Sequence, residues 1–213
     1  VIGSGIMGTN LTQDIALQLL VNAVATVAAL GVLIATLGPV SGAHFNPVVT
    51  LVGAVRRDLG AGEATGYALA QFAGGLAGAA VANVMFELPT WQASRHERTG
   101  PALWLGEVVA TAGLLFTIGA ITRTGRGHLG PVIVPAWIGA AYFFTSSTSF
   151  ANPAVALARS TSDTFAGISP GSVPGFALAQ LVGAALGTGL AGFLFPRRGL
   201  PEPPDLPETV HAT

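Results

Sequence analysis

Long apolar segments separated by short polar breaks dominate the chain. Five segments approach the roughly 20 residues that a helix needs to cross a bilayer; they are residues 14–38, 62–86, 101–122, 130–147 and 173–195. The breaks between them hold charged residues together with Gly and Pro. This pattern predicts an all-α membrane protein in which the long segments are membrane-spanning helices.

Two other apolar stretches, residues 49–55 and 155–158, are too short to span. The first follows the triplet Asn46, Pro47 and Val48, and the second follows Asn152, Pro153 and Ala154. Asn is a favoured helix N-cap, and Pro suits the first helical position. We therefore predict two re-entrant half-helices whose N-termini meet at mid-membrane, with their positive dipole ends aimed at one point of a pore.

The two halves of the chain repeat in opposite directions. Residues 66–78 align with residues 175–187, and the two Asn-Pro triplets lie at a similar offset. An odd number of spans separates the copies, so they run in opposite directions, and such inverted repeats place a functional site near the bilayer midplane. We expect one channel domain over residues 1–195, with a first half at 1–90 and an inverted second half at 101–195.

The first half is shorter than the second. The counterpart of segment 101–122 should precede residue 14, where only residues 1–8 are apolar. We therefore expect the chain to lack most of its first membrane helix. The Pro-rich residues 196–213 predict a disordered cytoplasmic tail. In that orientation six arginines lie inside and three outside, in agreement with the positive-inside rule.

Composition agrees with a membrane protein and excludes several kinds of chemistry. Charged residues make up 9% of the chain, against about 25% in soluble domains. The absence of Cys rules out disulfides, thiol nucleophiles and Cys-ligated metals. We expect no cofactor, no metal and no nucleic-acid partner. Pairs of Gly four residues apart, Gly74 with Gly78 and Gly183 with Gly187, predict close helix crossings.

These motifs resemble the aquaporin, or major intrinsic protein, family. The resemblance covers nearly the whole chain and rests on two Asn-Pro-Ala-type triplets in inverted repeats. It implies an aquaporin-like right-handed bundle of six tilted spans and two re-entrant half-helices, with one pore per subunit, a homotetramer and a place in the cell membrane. It also implies passive passage of water and small neutral solutes, such as glycerol, urea or neutral metalloid hydroxides like arsenous acid, and no enzymatic activity.

The chain departs from the family pattern at the outer constriction. Family members usually carry Arg directly after the second triplet, whereas this chain has Val155. The other constriction positions align with Thr26, a small residue near Ala141, and Phe150, so we predict a wide, apolar constriction without a fixed cation. Arg159 lies one helical turn beyond Val155. It is either a cation that stabilises the half-helix C-terminus, which we favour, or a substitute for the missing arginine.

Several polar and aromatic side chains carry further expectations. The amide NH2 groups of the two triplet Asn residues are expected to face the pore. We interpret His44 as a loop histidine tied to backbone carbonyls rather than a pH gate. The resemblance implies that Glu107 supports the backbone of the second re-entrant loop. Tyr142 and the two Phe residues after it predict an interfacial aromatic belt.

Three other functions remain as alternatives. A coupled secondary transporter also uses inverted repeats and broken helices, and it needs an ion or proton site at midplane. A non-conducting, truncated membrane protein would fit the missing first helix. An enzyme is disfavoured, because the sequence offers neither a nucleophile–base pair nor metal-ligand spacing.

Overall fold

The structure is a computed structural model that describes residues 1–196. The predicted disordered tail, residues 196–213, lies outside the described residues except for Pro196. The described part consists of helices and loops without a β-strand. Its α-helices are α1 (Ile2–Leu11), α2 (Ile15–Ser41), α3 (Pro47–Val55), α4 (Ala61–Met85), α5 (Pro101–Arg123), α6 (Gly130–Phe144), α7 (Pro153–Arg159) and α8 (Val173–Leu194).

Five helices are long and apolar enough to cross a membrane, and they correspond to the five predicted spans. They are α2, α4, α5, α8, and α6 together with the 3-10 turn Gly127–Leu129 that precedes it. A second 3-10 turn, Pro170–Ser172, leads into α8. The predicted span at 130–147 ends earlier, at Phe144, because the backbone becomes extended at Thr145.

The two half-helices α3 and α7 begin as the Asn-Pro triplets predict. The side-chain oxygen of Asn46 accepts a hydrogen bond from Val48 N at 3.1 Å. Asn152 Oδ1 accepts from Ala154 N at 3.0 Å and from Val155 N at 3.2 Å. The helices have 9 and 7 residues, which gives lengths of roughly 13 and 10 Å. Both are far shorter than the roughly 30 Å of a bilayer core.

Glycines bring α8 into close contact with α5. A Cβ added at Gly183 would overlap Val108 O, and one added at Gly187 would overlap Ala112 O. These two positions agree with the predicted close crossing. The other pair does not, because Gly74 and Gly78 on α4 have no atoms within 4 Å of an added Cβ. Their side of α4 faces away from the bundle.

Helix α1 packs against α2 and α4 at the start of the chain. Ile2 and Ile6 are buried in one cluster with Ala79 and Ala166, and Asn22 Nδ2 of α2 donates to Val1 O at 2.7 Å. Its 10 residues give a length of about 15 Å, half of what a span requires. The expectation that most of a first membrane helix is missing stays a prediction.

Candidate functional site

The two re-entrant loops are joined at their centre by a reciprocal pair of hydrogen bonds. Asn46 Nδ2 donates to Ala151 O at 2.7 Å, and Asn152 Nδ2 donates to Phe45 O at 2.8 Å. Each amide therefore gives one of its two N–H groups to the opposite loop. The expectation that the whole NH2 group faces a pore is corrected here, because only one N–H of each Asn is left for that purpose.

Both Asn side chains line a cavity of about 510 Å³. One wall is formed mainly by aliphatic side chains of α2, α5 and α6, and the other by the backbone turns that precede α3 and α7. At one end it reaches Thr122 and Gly127, and at the other it reaches Arg159. We call the Arg159 end the outer mouth, following the orientation predicted from the arginines. The cavity thus combines a largely apolar lining with the two Asn side chains.

The backbone of the second re-entrant loop is held by a buried carboxylate. Glu107 of α5 is fully buried, and its two oxygens accept from Phe150 N and Ala151 N, each at 2.8 Å. Gln180 of α8 donates to the same carboxylate at 2.6 Å. These bonds satisfy two N–H groups that lie at membrane depth, where an unpaired N–H is costly.

The first loop is held by the aligned glutamine of the other half. Gln71 Nε2 donates to His44 O and, at 2.9 Å, to Thr50 Oγ1. The His44 ring lies 5.8 Å from the Tyr67 ring. Its Nδ1 is buried and has no hydrogen-bond partner in the described part of the chain. The interpretation that backbone carbonyls hold the ring is therefore wrong at Nδ1. The hydrogen bond that holds this residue is accepted by its own backbone carbonyl from Gln71 of α4.

Both loops contain residues in the left-handed backbone region, where side chains are disfavoured. Ala43 precedes the first triplet with φ +53°, and Thr148, Ser149 and Ala151 precede the second with φ +61°, +53° and +48°. Such strain persists only where surrounding bonds fix the conformation. At Ala151 the carboxylate of Glu107 holds the N–H and Asn46 holds the carbonyl, and at Ala43 the carbonyl accepts from Phe45 N at 2.9 Å.

At the outer mouth the cavity is lined by Tyr142 and not by its neighbour Ala141, which the sequence predicted. Thr26, Phe150 and Val155 line the cavity, but Ala141 has no exposed area and packs in the core. Tyr142 lines the cavity instead, on the same face as Ile138 one turn earlier. Tyr142 is therefore not part of an interfacial belt, whereas the next two aromatic side chains are more than half exposed. Val134, Ile138 and Tyr142 follow one another at intervals of four residues, and this spacing indicates that their side chains share the cavity-lining face of α6.

Arg159 also lines the cavity, which corrects the prediction of a mouth without a fixed cation. It is the last residue of α7, where a cation can stabilise the helix C-terminus, and only 4% of it is exposed. Its Nε donates to Ala166 O, and its guanidinium carbon lies 3.4 Å from the centre of the Phe150 ring. Arg98 lies near the same ring, at 5.3 Å.

Of the predicted triplet residues, Val48 and Ala154 are buried behind the pore wall. Pro47 and Pro153 occupy the first helical positions of α3 and α7 and do not line the cavity. The triplets therefore act on the cavity through their Asn side chains. No group of three or more His, Asp or Glu side chains suited to a metal occurs within residues 1–196.

Comparisons with known proteins agree with this geometry. The family model described as major intrinsic protein matches residues 1–151. The chain is 53% identical to aquaglyceroporin AqpS of Rhizobium meliloti (strain 1021) over 194 residues, which are 91% of this chain and 83% of that protein. It is 38% identical to aquaporin-8 of Mus musculus over 114 residues, or 48% of this chain and 43% of that protein. It is 30% identical to aquaporin NIP3-1 of Arabidopsis thaliana over 139 residues, or 59% of this chain and 43% of that protein.

The resemblance inferred from the two Asn-Pro triplets is therefore confirmed. Proteins of this kind are integral membrane channels and not enzymes, so the enzyme alternative is excluded. By the family model and by its similarity to AqpS, the chain belongs to the major intrinsic protein family, whose members are membrane channels for water and small solutes.

Proposed function

We propose that the chain forms a passive channel for glycerol and other small, uncharged, hydrogen-bonding solutes, together with water. The observation that carries this proposal is the reciprocal pair of Asn46 and Asn152 at the centre of an otherwise largely apolar cavity. The Asn side chains are fixed by the opposite loop, so their remaining N–H groups are held in place for a passing hydroxyl or carbonyl oxygen.

The proposed selection against cations follows from the half-helices. The N-termini of α3 and α7 meet at the Asn pair, and each carries roughly half a positive charge. Apolar walls offer a cation no ligand to replace the water molecules that it loses on entry. A neutral solute loses less solvation free energy on entry, and it can accept hydrogen bonds from the amide donors at the centre. Similarity to a protein named aquaglyceroporin supports glycerol as the first candidate, with urea and neutral metalloid hydroxides next.

The lining residues disfavour a coupled transporter. No Asp or Glu is present among the described residues that line the cavity; its titratable side chains there are His44, Tyr142 and Arg159. A coupled cation needs oxygen ligands or a proton acceptor near the midplane. Glu107 does not serve, because both of its oxygens are occupied by backbone N–H groups.

Stopped-flow light scattering on proteoliposomes tests the proposal. Glycerol flux should rise linearly with the glycerol gradient and should not depend on a proton or sodium gradient. Saturating, ion-dependent flux would indicate the transporter, and flux equal to that of empty liposomes would indicate a non-conducting protein. Either result would overturn the proposal.

A matched pair of variants assigns the flux to the cavity. Val49 lines the cavity, whereas Leu51, two residues away on α3, is 47% exposed on the outside. Val49→Trp should block glycerol and water together, because indole fills a narrow pore. Leu51→Trp adds the same side chain and should leave the flux unchanged.

We also propose a homotetramer. The support is a surface of α4 on which added Cβ atoms meet nothing; its glycines are Gly62, Gly66, Gly74 and Gly78. Small residues on an outward face allow close approach of a neighbouring helix in a membrane. Light scattering coupled to size-exclusion chromatography in detergent should give four times the chain mass, and a monomer mass would contradict the assembly.

A further inference from the structure

We propose that a second pocket, beside the inner part of the pore cavity, binds a neutral polyol such as glycerol. This side pocket has a volume of about 140 Å³ and lies between α3, α5 and α8. No described residue of α8 lines the larger cavity, so the side pocket lies off the path that passes the two Asn side chains. The inference rests on the proposed channel function, because the polyol reaches the pocket through the pore.

The side pocket adjoins the end of the pore cavity opposite Arg159. Thr122 lies at that inner end and lines both spaces. His44, Val49 and Ile118 also line both. Two spaces with common lining residues are separated by no more than those side chains. A solute at the inner end of the pore therefore lies next to the side pocket.

The inverted repeat explains why space is left open here. Gly53 and Arg159 each follow a triplet Asn by seven residues, so they are equivalent positions of the two halves. In the second half the guanidinium carbon of Arg159 lies 3.4 Å from the centre of the Phe150 ring. In the first half the equivalent ring is that of His44, and an added Cβ at Gly53 would lie 3.5 Å from its Cε1. Glycine at this position therefore leaves the space beside the His44 ring unfilled.

Unpartnered polar atoms indicate that the side pocket holds a bound molecule. Each of three lining residues has a buried polar atom without a hydrogen-bond partner within residues 1–196: His44 Nδ1, Arg56 Nε and Thr188 Oγ1. Arg56 Nε lies 3.4 Å from Asp58 Oδ2, which makes an ion pair without hydrogen-bond geometry. Buried polar groups in native proteins nearly always have partners. Three such atoms around one pocket are therefore explained by a molecule that supplies the missing hydrogen bonds.

The lining defines the chemistry of that molecule. An anion would meet the carboxylate of Asp58, and a cation would meet the guanidinium of Arg56, whereas a neutral molecule avoids both repulsions. Hydroxyl groups can donate and accept, as the three unpartnered atoms require. The rest of the wall is largely aliphatic and suits a short carbon chain; it includes Val49, Val52, Leu115 and Ile118. The volume equals that of several water molecules at roughly 30 Å³ each, which suits a three-carbon polyol.

A single introduced thiol tests whether the side pocket is accessible, because the chain contains no Cys. Thr188→Cys places a thiol of similar size in the pocket. Methyl methanethiosulfonate should modify this thiol in the full chain in detergent, as measured by intact-protein mass spectrometry. Thr111→Cys is the matched control, since the Thr111 hydroxyl is also buried and unpartnered but that residue lines neither of the two cavities. The control should stay unmodified.

Protection of this thiol by glycerol tests binding. Glycerol should slow the modification of Thr188→Cys about twofold at a concentration equal to its dissociation constant, and more above it. Sucrose at equal osmolality should not protect, because it is too large for a pocket of about 140 Å³. Arg56→Leu, added to this variant, should remove the protection and leave the thiol reactive. Arg57→Leu removes the same charge at an exposed neighbouring position and should leave the protection unchanged.

Three results would overturn the inference. They are an unreactive thiol in Thr188→Cys, a reactive thiol that about 1 M glycerol slows no more than sucrose does, and protection that survives Arg56→Leu. If Thr188→Cys does not fold, Val52→Cys on α3 places a thiol in the same pocket and decides by the same criteria. A parent protein without glycerol flux would instead contradict the proposed channel. The thiol assay does not depend on flux, so the two failures are distinguishable.

Discussion

Each triplet Asn performs two tasks with one side chain. The oxygen caps its own half-helix, and the nitrogen donates to the carbonyl before the other triplet. The two tasks use different atoms, which an amide allows and a carboxylate does not. The pair therefore fixes the meeting point of the half-helices and keeps it a donor site.

Asn152→Asp should admit cations. The new carboxylate still accepts the cap bonds from Ala154 N and Val155 N, but it cannot donate to Phe45 O. Its charge also offsets roughly half a positive charge from each half-helix. Planar-bilayer recording should show a cation leak that the parent lacks. An electrically silent variant that still conducts glycerol would contradict the role given to the half-helix charges.

Glu107→Gln should destabilise the protein by about 1–3 kcal/mol, the usual cost of an unsatisfied buried group. An amide has one oxygen, so Phe150 N or Ala151 N would face an NH2 donor in place of an acceptor. Thermal unfolding in detergent measures the loss. Glu97→Gln makes the same change at an exposed loop position and should leave the melting temperature nearly unchanged. Equal melting temperatures for the two variants would argue against the support role.

At the element scale, the crossing of α5 and α8 limits what α8 tolerates. Gly187→Ala places a methyl group against Ala112 O, and overpacking of this kind costs about 1–3 kcal/mol. Gly189→Ala lies on the same helix, where an added Cβ meets nothing within 4 Å. The first variant should melt earlier than the parent, and the second should not. If both melt alike, the close crossing does not limit stability.

The sequence predicted elements better than it predicted the faces they present. The spans, the half-helices and the sites of Asn46 and Asn152 follow from segment length, capping residues and the repeat. The support role of Glu107 was implied by the family resemblance. The structure places Tyr142 on the cavity in place of its neighbour Ala141, because a shift of one residue along a helix turns a side chain by about 100°. The surroundings of Arg159 were not predictable either, since Ala166 and Phe150 come from a loop and from the preceding turn.

At the scale of the whole molecule, polar contacts tie the loops of the two halves together at the outer end. Asn83 Nδ2 donates to Thr161 O at 3.3 Å, and Ser162 Oγ donates to Asn83 Oδ1 at 2.7 Å. Ser94 N donates to Ser160 O at 3.0 Å. The loop after α4 therefore holds the chain that leaves α7. This arrangement positions Ala166, the carbonyl partner of Arg159.

We expect the contact between Arg95 and Asp163 to make this arrangement sensitive to acid. The backbone N–H and the side chain of Arg95 both donate to the carboxylate of Asp163 at 2.9 Å. These bonds, the backbone one most of all, lower the pKa of that carboxyl below its ordinary value. Because the folded protein favours the carboxylate, the contact stabilises the fold above the pKa of an unfolded Asp, about 3.9. That contribution is lost as the pH falls through the lower folded pKa.

Asp163→Asn should therefore lower the melting temperature at about pH 6 and narrow the difference between melting at about pH 6 and about pH 3. Arg95→Gln should have the same effect to a smaller extent, since the backbone N–H is the larger cause of the pKa shift and remains in place. Thermal unfolding in a non-ionic detergent at both pH values measures the two changes. If the melting temperature of Asp163→Asn differs between the two pH values as much as that of the parent does, other carboxyls carry the acid sensitivity.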